Sequence, residues 1–308
     1  MVNLHTKTIR RSNIDIIFDV CNMLFMLLFL FIMLYPMYFT VIASLSDINE
    51  VGKGNVYLLP KGLSFEAYKN VLSNPQIWSG YTNSIIYTLG GTLYGIFIML
   101  PTAYSLSKKQ LYGRKVITWY FLVTMYFSGG MVPAYLLVRN LGLLNTPLVM
   151  IVGSMSIYNM VVTRTFFSTS IPVELYESAN IDGASEITSF FRIALPVAKP
   201  IIAVMALFIS VSIWNSYFGA LIYITDSKLF PLQIVLRNIL IMNQQMISNQ
   251  DIVSQLSSED QIALAMKANL AQSIKYSVIF IASAPLLAMY PFIQKYFVKG
   301  IMIGSLKG

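Results

Sequence analysis

The sequence predicts an all-α, polytopic membrane protein with six transmembrane helices, and three observations carry that prediction. Of 308 residues, 56% are apolar and only 11% are charged, against about 25% charged in an ordinary soluble domain. Six stretches lack any Asp, Glu, Lys or Arg, at 20–46, 70–107, 116–138, 140–163, 200–225 and 276–294. Each supplies the roughly 20 residues that a spanning helix needs. The net charge of +8 is spread between segments and not gathered in one block, so it reads as membrane orientation and not as a nucleic-acid surface.

The first stretch follows Lys7, Arg10 and Arg11. Val41-Ile42-Ala43 is a passable cleavage site, but the apolar run is too long for a signal peptide, and an uncleaved anchor is expected. Cys21, the single cysteine, lies in this run; it excludes an internal disulfide and its default role is packing. The second stretch exceeds one span, and its polar start, Ser73, Asn74, Pro75 and Gln76, reads as loop, with the helix beginning near Tyr81. Within it Gly91-Thr92-Leu93-Tyr94-Gly95 fits a small-residue motif for close helix approach. Asn83, Ser84 and Tyr87 there, and Tyr158 and Asn159 in the fourth stretch, read as helix–helix contacts. The fourth helix can run past Arg164 towards Ser168.

Lys108, Lys109, Arg114 and Lys115 crowd the connection after the second stretch, and Lys295, Lys299 and Lys307 follow the sixth. The connection between the third and fourth holds only Arg139. Basic residues of short loops stay in the cytoplasm, so both termini are expected there. That leaves an external segment at 47–80 with Pro60 and Gly62, a cytoplasmic one at 169–199, and a second external one at 226–275. The last is rich in Gln, Asn and Ser and carries an apolar stretch at 232–242.

The cytoplasmic segment is the most informative. Pro172 suits a first helical position, and Glu174 and Glu177 favour the positive end of that helix. Asp182-Gly183 signals a turn. A second short helix then places Ile187, Phe190, Phe191 and Ala194 on one face, before Pro196 and Pro200 break the chain. An apolar stripe outside the lipid needs a protein partner.

Glu177, Ser178 and Ala179, three further residues, Gly183, nine residues, Ile193, one residue, then Leu195 and Pro196 complete a spaced pattern. It resembles the EAA loop of type I ABC import permeases, Glu-Ala-Ala with Gly, Ile and Leu-Pro at the same spacings; Ser178 replaces the middle alanine, small for small. The resemblance covers about residues 70–308. It leans to the maltose-type carbohydrate branch through Ile171-Pro172, Ile181-Asp182-Gly183-Ala184-Ser185, Trp214-Asn215-Ser216-Tyr217 and the tail from Lys299-Gly300-Ile301 to Lys307-Gly308.

That resemblance implies a MetI-like permease fold. It divides the chain into 1–69, with the N-terminus, first helix and an extracellular segment; a core at 70–298 with its coupling loop at 169–197; and a cytoplasmic tail at 299–308. It implies that Glu177, Ser178, Ala179, Asp182, Gly183, Ile187, Phe190, Phe191, Ile193, Leu195 and Pro196 couple to an ATPase. The partners implied are a homologous second permease, two ATPase subunits, an extracellular binding protein and membrane lipid, with no nucleic acid. Closure of the ATPase pair rocks the helices between inward-open and outward-open states, since a ligand shifts an equilibrium by preferring one state.

Other chemistry is thin. Gly52-Lys53 is followed by Gly54, so no Walker A is present and ATP with Mg is expected on a separate subunit, leaving this chain without a cofactor. His5 is the single histidine, and no metal or nucleophile set is visible, which disfavours a membrane-embedded enzyme. The spans hold almost no ionisable residue, which disfavours an ATP-independent secondary transporter or channel. Trp214, Asn215 and Tyr217 in the fifth stretch are candidates for a sugar path, because aromatic faces and amides suit ring faces and hydroxyl rims. Helical spacing puts Trp214 and Tyr217 on nearly one face and turns Asn215 about 100° away, towards a structural role. An oligosaccharide is the expected cargo; a peptide or amino acid is the nearest alternative.

Overall fold

The computed structural model describes residues 12–153, 155–248 and 274–288. The described residues are helical, with one isolated backbone pairing, Ser46 with Leu63. They fall into two units, 1–70 with 246–280 and 71–245 with 281–308.

In the first unit, α1 (Asn13–Ser44) begins at a capping box in which Ser12 and Asp15 satisfy each other's backbone N–H groups. Among the described residues of this unit, none covers its most apolar window. A helix apolar all round and bare of protein neighbours needs lipid or another chain; Cys21 is exposed on it. Only its last turns pack, Ile42 and Ala43 joining Val51 of α2 (Ile48–Gly52), Val56, Phe39 and Tyr276 in a small core. The Tyr35 and Tyr38 hydroxyls donate to the carbonyls of Tyr57 and Leu58.

The second unit follows α3 (Glu66–Leu72), whose last residues enter it, and is organised around α4 (Pro75–Ser107). Asn74 caps α4 by accepting from the Gln76 N–H at 2.9 Å, with Pro75 in the first turn. The helix therefore starts six residues before the expected Tyr81, because Asn-Pro is a start signal here and not a loop. The third stretch is broken: α5 (Arg114–Tyr126) and α6 (Met131–Asn140) meet at 116° across Phe127-Ser128-Gly129-Gly130, with Gly130 at φ +89°. The fourth is broken as well, into α7 (Leu148–Val152) and α8 (Ile157–Thr169), which does run past Arg164.

Then come α9 (Val173–Ile181), α10 (Glu186–Val197) and α11 (Lys199–Trp214), the last two bent by 79° around Ala198 with Pro200 in the next turn. The fifth stretch ends early: α11 stops at Trp214 and α12 (Phe218–Tyr223) follows. The apolar part of the predicted second external segment is α13 (Leu232–Ser248), and Leu232, Ile234, Val235 and Leu236 are buried in it. The sixth stretch is described as α14 (Ile274–Ala288), divided between the units.

Among the described residues, α1 and α4 are unbroken and long and apolar enough to cross a membrane, and the pairs α5–α6 and α10–α11 pass only as bent spans. The second unit's core gathers Met99, Ala103 and Tyr104 of α4 with Met160, Phe167, Phe190, Met205 and Ile209. Gly91 and Gly95 of the small-residue motif are buried on α4. Two other glycines of the helix sit against close neighbours. A Cβ on Gly80 would lie 3.1 Å from the Leu232 Cα, and one on Gly90 would lie 3.1 Å from the Ile151 Cδ1. The expected positions of His5, Lys7, Arg10, Arg11, Lys295, Lys299, Lys307 and the 299–308 tail lie outside the described residues.

Candidate coupling loop and translocation path

α9 begins after Pro172, which is its N-cap (φ −58°, ψ 137°) and not its first helical residue. At the other end the Gly183 N–H donates to the Asn180 carbonyl at 3.1 Å and the Ala184 N–H to the Ala179 carbonyl at 2.9 Å. This is a Schellman motif, and it needs a left-handed residue, Gly183 at φ +75°. A Cβ added at Gly183 would meet no atom within 4 Å, so conformation and not space selects the glycine. Ser185 then caps α10, its Oγ accepting from the Thr188 N–H at 3.2 Å.

Within α10, Phe190–Ala194 forms one π-helical turn, a wider turn that shifts the facing of the side chains around it. The expected single stripe is split. Ile187 and Phe191 are 72% and 61% exposed, while Phe190 (9%) and Ala194 (0%) turn into the core. Ile193 and Leu195 are half-buried, Ala179 is buried, and Glu177, Ser178, Asp182, Gly183 and Pro196 are exposed. The apolar groups the loop presents are thus Val173, Leu175, Ile181, Ile187 and Phe191.

The inward side is held by a polar clasp of which the sequence carries no signal, its partners being 82 residues apart. The Tyr104 hydroxyl, near the end of α4, donates to Glu186 Oε2 at 2.8 Å. The Tyr104 ring packs 5.0 Å from Phe190, 5.8 Å from Phe167 and 6.1 Å from Tyr176. Lys108 Nζ sits 3.4 Å from Glu186 Oε2 and 3.4 Å from the centre of the Tyr176 ring. Burial first, then the Glu186 charge, pushes the Tyr176 phenol up to about 12, so it stays neutral in this group. The end of α4 and the start of α10 are thereby tied as one piece.

The expected aromatic pair is not on one helical face. Trp214 is the last residue of α11 and 5% exposed, its Nε1 donating to the Ala282 carbonyl at 3.0 Å and its ring 6.2 Å from Tyr81. Asn215 is the C-cap and turns its Nδ2 back to the Val211 carbonyl at 3.0 Å. Tyr217 lies beyond the break, 46% exposed, against Phe218. Helical spacing cannot relate residues on either side of a break. At the same break, a cavity of about 270 Å³ is lined by Ser156, Ser212, Ser216, Tyr223 and the methionines 150 and 155, among others. Sequence reasoning missed these hydroxyls; Ser212 and Ser216 at an i, i+4 spacing beside Gly219 were the available signal.

Around this cavity the connections are pinned by side chains. Asn83 Nδ2 donates to the carbonyls of Lys228 (2.7 Å) and Phe230 (3.0 Å), the Tyr87 hydroxyl donates to that of Leu229 (2.9 Å), and Ser84 Oγ accepts from the Leu232 N–H (2.8 Å). Asn83 and Tyr87 thus clasp the segment leading into α13, where helix–helix contacts were expected, while Ser84 makes the expected kind of contact, at the first residue of α13. Asn145, at φ +56°, donates its N–H to the Tyr223 carbonyl and accepts at Oδ1 from the N–H groups of Thr225 and Asp226.

Residues 77–303 match the family described as binding-protein-dependent transport system inner membrane component. Along its whole length the chain is 39% identical to the whole of Protein LplC of Bacillus subtilis (strain 168). It is 36% identical, over 95% of this chain and 99% of the other, to the polygalacturonan/rhamnogalacturonan transport system permease protein YtcP of the same organism. Its structure resembles the crystal structure of a bacterial ABC transporter involved in the import of the acidic polysaccharide alginate, with a TM-score of 0.82 and 31% identity, covering 94% of this chain and 100% of that one.

Proposed function

The chain belongs to the family of binding-protein-dependent transport system inner membrane components, and on that premise we propose that it forms half of a translocation path for an oligosaccharide handed over by an extracellular binding protein. It is a multi-pass permease component of an ATP-binding-cassette importer and not an enzyme; ATP hydrolysis belongs to a separate subunit. The observation that carries the cargo class is the likeness, along nearly the full length, to a permease protein of a polygalacturonan/rhamnogalacturonan transport system. The cavity at the α11–α12 break supports it, since hydroxyls beside methionine side chains suit a ligand with hydroxyl rims and apolar ring faces.

In this reading a homologous permease supplies the other half, two ATPase subunits lie below, and both termini face the cytoplasm. Ile181, Ile187 and Phe191 supply the apolar docking area, on a frame set by Glu177, Ser178, Ala179, Asp182 and Gly183. Phe190 and Leu195 seat that frame on the core, with Ile193 and Pro196 beside them in α10, and the Tyr104–Glu186–Lys108 clasp carries its movement into α4. Tyr217, with Ser212, Ser216 and Tyr223, faces the cargo, while Trp214 and Asn215 hold the break.

The test is uptake of labelled oligosaccharides by cells expressing the importer, alongside binding of a glycan panel to the extracellular partner. Saturable binding and uptake of an oligosaccharide are expected. Binding and uptake of peptides or amino acids alone would overturn the cargo assignment.

A further inference from the structure

A second site lies away from the coupling loop and the cavity. The N-terminal turn of α5 meets α8 in a pocket of about 230 Å³ lined by Arg114, Lys115, Thr118, Trp119, Leu122 and Arg164. Arg114 Nε and Arg164 Nε both donate to the same acceptor, the carbonyl of Leu106, at 2.9 and 3.0 Å. Two half-buried guanidiniums on one oxygen repel each other, and the lining includes no carboxylate to offset them. Among the described residues none of the three basic side chains forms an ion pair. The positive end of α5 adds to the field, with no acidic residue in its first turn and no side-chain cap from Gly113. Thr118 is part of the lining, and its hydroxyl is buried without a hydrogen-bond partner among the described residues. A site with three cations at a helix N-terminus and no carboxylate in its lining is built for an anion with several acceptor oxygens.

The surroundings say which anion. Trp119, 68% exposed, and Leu122 continue the pocket along α5, which here enters a stretch free of charge. A basic pocket opening onto an apolar, tryptophan-bearing helix face matches a headgroup with its acyl chains attached. We propose that this pocket binds the phosphodiester headgroup of an anionic phospholipid such as phosphatidylglycerol, with Trp119 and Leu122 against its chains. The lipid fastens α5 to α8 and so steadies the bent α5–α6 pair. This site goes beyond the transport reading and stands or falls separately from the cargo.

The experiment is native mass spectrometry of the purified full chain titrated with phosphatidylglycerol or phosphatidylcholine. The wild type is expected to retain phosphatidylglycerol in preference. Arg114→Gln and Lys115→Gln are each expected to weaken that retention about fivefold and to leave phosphatidylcholine unchanged. Lys109→Gln removes an exposed charge that does not line the pocket and is expected to change nothing. If Arg114→Gln fails to fold, Lys115→Gln carries the test, since its exposed side chain donates to no carbonyl of α4. Equal retention of both lipids, or a loss with Lys109→Gln as large as with Lys115→Gln, would overturn the proposal. Complete displacement of phosphatidylglycerol by inorganic phosphate would assign the pocket to free phosphate and overturn the lipid source.

Discussion

Single residues decide where backbones touch and where they turn. Gly80 and Gly90 both face close neighbours, but Gly80 meets the backbone of Leu232 and Gly90 meets the flexible end of Ile151. Gly80→Ala is expected to cost about 1–3 kcal/mol, seen as a lower unfolding temperature of the purified chain. Gly90→Ala is expected to cost less than about 1 kcal/mol, because a side-chain methyl yields where backbone does not. Equal losses would show that the contact between Gly80 and Leu232 yields as easily as a side chain. Gly183 is a different case, selected by φ +75° alone. Gly183→Ala is expected to destabilise the loop by about 1–2 kcal/mol, and Gly183→Asn by less, measured as uptake per assembled complex. Gly183 was legible in the sequence, because Asp-Gly after a short amphipathic run has few other uses. The end of α11 was not. No Gly or Pro stands at 215–217, and a cap made by an Asn amide on its own helix resembles any other polar residue in a span.

At the scale of elements the split between buried and exposed faces of α10 changes which variants are informative. A charge at Phe190 would enter the core beside Tyr104, so Phe190→Asp is expected to abolish assembly. Ile187→Asp is expected to leave the permease inserted and folded while ATPase association falls at least tenfold, as read by co-purification. Normal association in Ile187→Asp would remove α10 from the docking surface. Tyr104→Phe keeps every ring contact and loses only the bond to Glu186. Here ATPase association is expected to survive while uptake per complex drops severalfold, and unchanged uptake would reduce the clasp to packing. The loop's motif could be read because its spacing is local. The clasp could not, since Tyr104 and Glu186 meet only through the fold. The broken third stretch was half legible: Gly129-Gly130 is visible in the sequence, but absence of charge says nothing about bends.

At the scale of the molecule, composition foretold an all-helical membrane protein, and the absence of charge located its apolar stretches. It did not resolve which of them run unbroken, because bending depends on neighbours as well as on local polarity. Sidedness is open to direct measurement. A cysteine at Ser107 is expected to resist an impermeant reagent applied outside, and one at Ser64 to react, in a chain whose own Cys21 is replaced by Ser; labelling at Ser107 would invert the orientation. The most direct measurement of the central claim is oligosaccharide accumulation in vesicles containing the whole importer, with binding protein outside and ATP inside. Accumulation that requires both, and that Ile187→Asp abolishes with the permease still assembled, is the expected result. Accumulation that persists without ATP, or that Ile187→Asp leaves intact, would contradict it.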